Sequence, residues 1–243
     1  MKAMILAAGL GTRLRPLTDN RPKALVEVAG RTLLEIALSR LHAFGISEVI
    51  VNVYHFADMV VEYLKSNDNF GMRIELSREE DLLDTGGGLR KAGWFFLENA
   101  QGRDEPFIVH NVDVISTIDL GQMVRFHTEH QALATLAVQD RETARYLLFD
   151  QQGQLCGRRS GDDQKTELVR SSPQLQALAF CGIHVISPRL FAVMREDGVF
   201  SIIPAYLRLA AQGEKLLAFR ADEYYWRDLG RPDHVMQAAQ ELK

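Results

Sequence analysis

The chain has 243 residues, 47% hydrophobic and 25% charged, with a net charge of −4 and a pI of about 6.0. That length and balance suit one large α/β domain or two small ones, and the slight acidic excess argues against a nucleic-acid-binding surface, which would need a basic excess. No apolar run approaches a membrane span, and two cysteines, Cys156 and Cys181, outside any C-x-x-C pair, argue against a disulfide framework or zinc site and for a reducing, cytoplasmic setting.

The first stretch with chemistry is the first to be met. Ala3 to Ala8 is an apolar run that reads as a buried β-strand, and it leads directly into Gly9-Leu10-Gly11-Thr12-Arg13, followed by Arg15-Pro16 and Pro22-Lys23. Glycine at 9 and 11 permits positive φ and close approach of backbone N–H groups to a ligand. Successive N–H groups in such a turn make an anion-binding concavity, and Arg13, Arg15 and Lys23 add full positive charge. The stretch is suited to a polyphosphate. It is not a dinucleotide fingerprint, because Leu14 stands where the third glycine belongs, nor a P-loop, because Thr12 rather than Lys follows Gly11. A secretory signal is argued against by Arg13 and Arg15, which interrupt the apolar run early.

Beyond the loop, strands and helices alternate. Thr32 to Phe44 reads as a helix with Leu34, Ala37, Leu38 and Leu41 on one face and Gly45 as its stop. Ile46 to Tyr54 is a strand rich in β-branched residues, Ala57 to Lys65 a helix, Met72 to Leu76 a strand, Thr85 to Leu97 a helix that begins with glycines, and Phe107 to His110 a strand. This order predicts an α/β fold with a Rossmann-like, mostly parallel mixed sheet flanked by helices. Ligands in such sheets bind beyond the carboxyl ends of the strands, which places Gly9 to Arg13, Thr85 to Gly88 and Asn111 to Asp113 at one rim.

From Asp119 the alternation weakens. Leu120 to His130 is a helix, and Ala132 to Val138 and Tyr146 to Phe149 are strands. Residues 150–176 are polar, with Gly153, Gly157, Gly161 and Asp162-Asp163, and read as a hairpin plus a mobile loop. Ala177 to Ile186 is a strand, Ser187-Pro188 starts a short helix, Pro204 to Ala211 lies in another, Leu216 to Phe219 is a strand and Pro232 to Leu242 a closing helix. No repeat or linker interrupts the chain, so residues 1–243 are expected to form a single domain, with residues 1–115 as one half and 116–243 as the other.

Several polar residues stand out against this frame. Asp113 follows an apolar strand, where a carboxylate serves either as a metal ligand or as a turn former. Asp228, in Tyr225-Trp226-Arg227-Asp228-Leu229-Gly230, admits the same two readings. Thr85-Gly86-Gly87-Gly88 either lets backbone approach a flat base or sugar, or is a strand-to-helix junction. Phe180-Cys181-Gly182-Ile183 is either a ligand-facing strand or a core strand with one small residue. His127 and His130 suggest a metal pair, with an exposed helix as the simpler reading.

The run Gly9-x-Gly11-Thr12-Arg13-x-Arg15-Pro16-Leu17-Thr18, followed by Pro22-Lys23-x-Leu25-Val26, resembles the signature of the sugar-1-phosphate nucleotidylyltransferases, which make nucleotide-activated sugars from an NTP and a sugar 1-phosphate. The Trp226-x-Asp228-x-Gly230 segment resembles a second motif of that family. The resemblance implies the nucleotide-diphospho-sugar transferase fold, without the C-terminal β-helix domain of larger relatives. Residues 1–115 would be the nucleotide-binding half and 116–243 the sugar-binding half. It implies catalytic roles for Arg13, on the leaving pyrophosphate, and Lys23, on the α-phosphate. Ala8, Gly9, Gly11, Thr12, Thr85, Gly86, Gly87 and Asn111 would bind the nucleotide, Gly182 and Ile183 the sugar, and Asp113 and Asp228 a Mg²⁺ ion. Val112 stands where the family usually has Gly, and the family's sugar-phosphate lysine is absent; Lys165, Arg158 and Arg159 are the nearby cations, and Arg141, Arg145 and Tyr146 are placed to frame the acceptor.

The Thr-Gly-Gly-Gly form resembles the N-acetylmuramate-1-phosphate uridylyltransferase branch, so uridylyl transfer to that or a similar sugar, in cell-wall metabolism, is the expected activity. The expected partners are therefore an NTP (UTP or GTP) and a sugar 1-phosphate. GTP with mannose 1-phosphate is the alternative within the family. A non-catalytic, nucleotide-sugar-sensing regulatory subunit is the alternative outside it, and the presence of Arg13, Lys23, Asp113 and Asp228 favours an enzyme.

Overall fold

Alternation along the first strand, β1 (Lys2–Leu6), divides the core in two. Ala3 and Ile5 pack into one apolar cluster and Met4 and Leu6 into another, because successive side chains of a strand leave by opposite faces. A computed structural model describes residues 1–98, 104–161 and 165–241 of the chain; Asp162, Asp163 and Leu242 lie outside the described residues.

After β1 come a small hairpin, β2 (Glu27–Val28) with β3 (Arg31–Thr32), and α1 (Leu33–Ala43). Thr32 caps α1 by accepting the Glu35 N–H on its hydroxyl, satisfying a donor the helix itself leaves open. Next are β4 (Glu48–Val53), α2 (Ala57–Ser66), β5 (Arg73–Arg78), and then α3 (Asp84–Lys91) and α4 (Gly93–Leu97). The stretch expected as one helix is thus two. The break falls at Ala92 and Gly93, where a Cβ on Gly93 would come within 3.0 Å of the Phe191 ring.

The chain continues through β6 (Phe107–Asn111), β7 (Val114–Ser116), α5 (Leu120–His130), β8 (Ala134–Gln139), β9 (Arg145–Phe149), β10 (Leu155–Ser160) and β11 (Lys165–Leu168). It closes with β12 (Gln176–Ile186), α6 (Leu190–Val193), α7 (Ile202–Ala211), β13 (Leu216–Arg220), β14 (Trp226–Asp228) and α8 (Pro232–Glu241).

Among the described residues ten strands form one sheet, with the path β11-β10-β9-β12-β6-β1-β4-β5 and with β8 and β13 branching from β12. The segment β6-β1-β4-β5 is parallel. Strand β12 runs antiparallel to β6, β8 and β9, so the second half of the sheet is mainly antiparallel. Helices α1, α2, α5 and α8 cover one face and α3, α4, α6 and α7 the other, each contributing buried apolar side chains to its own cluster. This is the two-faced burial that a parallel sheet requires.

Two features of the sheet position the site. The parallel strands β1, β4, β5 and β6 all end at the same rim, at Leu6, Val53, Arg78 and Asn111. Off the main sheet, β7 pairs antiparallel with β14, with Asp228 opposite Val114 and the Leu229 N–H donating to the Asp113 carbonyl at 2.7 Å. The pairing brings two segments more than a hundred residues apart in sequence to adjacent rungs.

Candidate active site

The strand β1 delivers Ala7 and Ala8, both nearly buried, to the rim, and the chain then turns through Gly9–Thr12. Of the two glycines expected at positive φ, only Gly11 adopts it, at +65°. A Cβ there would also crowd Thr18 Cγ2 at 3.0 Å and Lys23 Cβ at 3.2 Å, and the Thr18 hydroxyl donates to the Gly11 carbonyl. Gly9 lies beside the same lysine: a Cβ at that position would make only ordinary contact, 3.5 Å from Lys23 Nζ. A single 3₁₀ turn follows at Thr12–Leu14, anchored by fully buried Leu14, and leaves Arg13 at the surface.

A second 3₁₀ turn, Lys23–Leu25, places Lys23. Ala24 and Leu25 are buried and hold the turn, while Pro22 before it is extended. Lys23 Nζ meets Asp113 Oδ2 at 3.1 Å, with side chains 14% and 10% exposed. Gly9, Gly11, Thr12, Arg13, Leu14, Lys23, Asp113 and Gly230 line one small cleft of about 180 Å³. Arg15 does not join them; its guanidinium pairs with Asp19 at 3.5 Å on the exposed side of the loop.

Asp228 adjoins this cleft at Gly230. Its Oδ1 accepts the Gly230 N–H at 2.5 Å, and a Cβ on Gly230 would lie 2.6 Å from that oxygen and 3.0 Å from Arg13 Nη2. Gly230 therefore leaves open the space that the Arg13 guanidinium and the Asp228 carboxylate both border. Each candidate metal carboxylate has one oxygen engaged, Asp113 with Lys23 and Asp228 with Gly230. Two hard carboxylates beside a phosphate-sized cleft match what Mg²⁺ takes, a few carboxylates completed by substrate phosphates and water. Among the described residues no cluster of three or more His, Cys, Asp or Glu side chains forms a closed metal cage.

The other expected site residues are placed as follows. Val112 is buried in the core, so its side chain adds no bulk at the cleft. Asn111 ends β6 and meets β12 across Gly182, where φ is +73° and a Cβ would lie 2.7 Å from Asn111 Nδ2. Gly182 sits where the register of β12 against β8 shifts, so the bend of this strand depends on it. Ile183, expected against the sugar, is fully buried in the core, main chain included, and presents no surface to a ligand.

Gly86 and Gly87 have a packing explanation. Both N–H groups donate to the Phe200 carbonyl, and Cβ atoms there would meet the Phe200 ring and the Gly198 carbonyl at 2.3 Å. The Thr85 hydroxyl accepts the Ile202 N–H at the start of α7. These residues are fitted to the 198–202 segment, and that fit accounts for the glycines without a ligand. His127 is buried and bonded to Thr135, and His130 bonds the Phe126 carbonyl, so the two do not form a metal pair.

Two cation–aromatic pairs lie beyond Asn111. Arg141 stacks on Trp226 with its guanidinium carbon 3.7 Å from the ring centre and donates to the Phe180 carbonyl. Burial pulls the Arg141 pKa down, while Cys181 and Asp228 pull it the other way. Arg159 lies over the Tyr146 ring at 5.2 Å, opposite it across β10 and β9. The Nε atoms of Arg141 and Arg159 are both buried without a hydrogen-bond partner. Arg158, one residue earlier, pairs with Glu167 at 2.7 Å. Sequence reasoning named these arginines without ranking them, because strand alternation becomes informative only once the register is known.

The nucleotidyl transferase family matches residues 2–154 of this chain. An N-acetylmuramate alpha-1-phosphate uridylyltransferase of Caulobacter vibrioides is 36% identical over 99% of this chain and 96% of its own. A mannose-1-phosphate guanyltransferase beta-B of Xenopus laevis is 32% identical over 96% of this chain, which spans 62% of that protein. In three dimensions the chain is similar to a putative glucose-1-phosphate thymidylyltransferase from Bacillus anthracis, solved in complex with a sucrose. That match has a TM-score of 0.81 at 18% identity over 99% of this chain and 94% of the other.

Proposed function

The chain belongs to the nucleotidyl transferase family, and from that premise we propose that it joins an NTP to a sugar 1-phosphate, releasing pyrophosphate, with UTP and an N-acetylmuramate-like sugar 1-phosphate as the substrates. The observation that carries this reading is the convergence of Arg13, Lys23 and Asp113 on one glycine-floored cleft at the end of β1. The uridylyltransferase relative, similar over nearly the whole of both chains, favours the uridylyl donor.

An oxygen of the sugar 1-phosphate attacks the α-phosphorus of the NTP, a new P–O bond forms, and the bond to the β-phosphate oxygen breaks. The attacking phosphate oxygen is already ionised, so no general base is needed, and the protein's work is orientation and neutralisation of charge. The Gly9–Thr12 main chain and Arg13 hold the departing pyrophosphate. Lys23, released from Asp113 toward substrate, neutralises charge on the α-phosphate. Arg141 and Arg159, set over the Trp226 and Tyr146 rings, are the cations for the acceptor's anionic groups, in place of the missing lysine. Asp113 and Asp228 would hold Mg²⁺, which supplies Lewis-acid neutralisation of the triphosphate when bound.

The test is a panel of NTPs against a panel of sugar 1-phosphates with Mg²⁺, read by pyrophosphate release. Turnover with UTP and N-acetylmuramate 1-phosphate is expected. Preference for GTP and mannose 1-phosphate would move the assignment within the family, and silence across the panel would overturn it.

A further inference from the structure

One buried polar pair is tied into the phosphate cradle without taking part in the mechanism above. Asn52, near the end of β4, is 3% exposed, and Glu79, just after β5, is 7% exposed. Asn52 Oδ1 accepts the Ala7 N–H at 2.7 Å, and Asn52 Nδ2 donates to Glu79 Oε1 at 2.7 Å. Glu79 Oε2 in turn accepts the Leu83 N–H at 3.0 Å. An unbroken line of hydrogen bonds therefore runs from the residue two before Gly9, across the ends of β1, β4 and β5, to the turn that enters α3.

The third glycine of the Gly86-Gly87-Gly88 run belongs to this line. A Cβ on Gly88 would lie 2.8 Å from both Asn52 Nδ2 and Glu79 Oε1. So the helix presents bare backbone here in order to admit the pair. A carboxylate buried to this extent is retained only if its acceptors are filled, and bonds to an ionised acceptor are short and strong. Ala7 lies beyond the last residue of β1, and its N–H is bonded to a side chain rather than to a neighbouring strand.

We propose that Asn52 is a positioning residue for the nucleotide: anchored by Glu79, it fixes the main chain at Ala7 from which the Gly9–Thr12 cradle extends. This rests on the reading of that cradle as a triphosphate site. Asn52 touches no substrate. It acts by holding the cradle amides in place, so its loss weakens the NTP and leaves the acceptor sugar alone.

The test is an exchange of the amide and the carboxylate. Asn52→Asp sets two carboxylates against each other, and such a pair retains one proton to unusually high pH. The NTP KM of Asn52→Asp should be near normal at about pH 6 and rise ~10-fold by about pH 8.5, with the acceptor KM within about twofold of wild type. The double variant Asn52→Asp/Glu79→Gln restores every hydrogen bond with the roles reversed, and its NTP KM should return to within about threefold of wild type across that range.

An Asn52→Asp profile that follows wild type, a double variant no better than the single one, or equal shifts in both KM values would overturn the proposal. If Asn52→Asp does not fold, the double variant decides alone: an NTP KM near wild type supports the proposal, and a tenfold rise with an unchanged melting temperature overturns it. Melting shifts induced by Mg²⁺–UTP or Mg²⁺–GTP give the same comparison without turnover. A wild-type protein stabilised by these nucleotides but releasing no pyrophosphate would thus remove the proposed reaction while leaving the role of Asn52 open to measurement.

Discussion

Lys23 Nζ and Asp113 Oδ2 stand 3.1 Å apart, largely withdrawn from solvent, at the mouth of the β1 and β6 strand ends. A pair so placed loses hydration on both partners, so removing either one leaves the other charge poorly compensated. Substrate supplies the alternative partners: phosphate for the lysine, a cation for the carboxylate. Until both arrive, the lysine and the carboxylate compensate each other, and Arg13 adds a second positive charge to the same cleft.

The first consequence concerns Lys23. Lys23→Ala is expected to lower kcat by ~10²–10³, the scale for losing one donor to the transition state. Steady-state kinetics with saturating NTP check it, and near-normal turnover would take Lys23 out of the chemical step.

For the carboxylates, Asp113→Asn and Asp228→Asn should each shift the Mg²⁺ dependence of pyrophosphate release to higher concentration, because a neutral amide is a weaker ligand for a hard cation. A Mg²⁺ titration that matches wild type would assign that aspartate to structure alone.

Gly230 carries a steric prediction. Gly230→Ala places a Cβ 2.6 Å from Asp228 Oδ1 and 3.0 Å from Arg13 Nη2. Displacing the two side chains should lower kcat/KM by about 10–10²-fold, the order expected for small misplacements near a reacting group. The melting temperature should hardly move, since the added methyl meets movable side chains rather than core. Full activity would show that the open space beside Arg13 and Asp228 is dispensable.

On the acceptor side, Arg159→Gln should raise the sugar-phosphate KM by about 10–100-fold, the value of one charge-assisted hydrogen bond, with the NTP KM little changed. Arg158→Gln, whose arginine is already paired with Glu167, is the control and should leave both constants near wild type. The reverse pattern would reassign the acceptor cation.

Stability should depend on pH through three histidines. Burial pushes His110 and His127 down to about 4 and His184 to about 3. The folded pKa values lie below the ordinary value of 6.5, so the unfolded chain binds more protons through this window and stability rises with pH. It is complete above about pH 6.5 and is lost as pH falls through the window toward pH 4, by up to about 1.4 kcal/mol per pH unit for each histidine. Melting curves between pH 7.5 and 5 check this, and His127→Gln should flatten the slope. A melting temperature independent of pH over that range would contradict the burial of these side chains.

Much of the fold was legible in local pattern. The helix at Leu120–His130 coincides with its expected span, and the apolar strands lie within a few residues of theirs, because period and β-branched composition are set by neighbours in sequence. The short pair β7 and β14 was not legible. Three residues carry no periodic signal, and their pairing joins segments that no local rule connects. The glycines of 86–88 show the same limit: their number suggested close approach, but only the packed structure shows that Phe200, Gly198 and the Asn52–Glu79 pair make that approach.

The sequence by itself determined the chemistry available: a glycine-bearing cationic loop after an apolar strand, two acids each followed or flanked by turn residues, and an alternation that commits the first half to a parallel sheet. Tertiary structure decided which of those groups share a space. It gathered Arg13, Lys23 and Asp113 at one cleft, brought Asp228 to the next rung through β14, and turned Arg15 outward and Arg158 toward Glu167. The reason is physical: side-chain type follows from covalent identity, whereas charge proximity depends on strand register and crossover, which are fixed only when distant segments bury their apolar faces together.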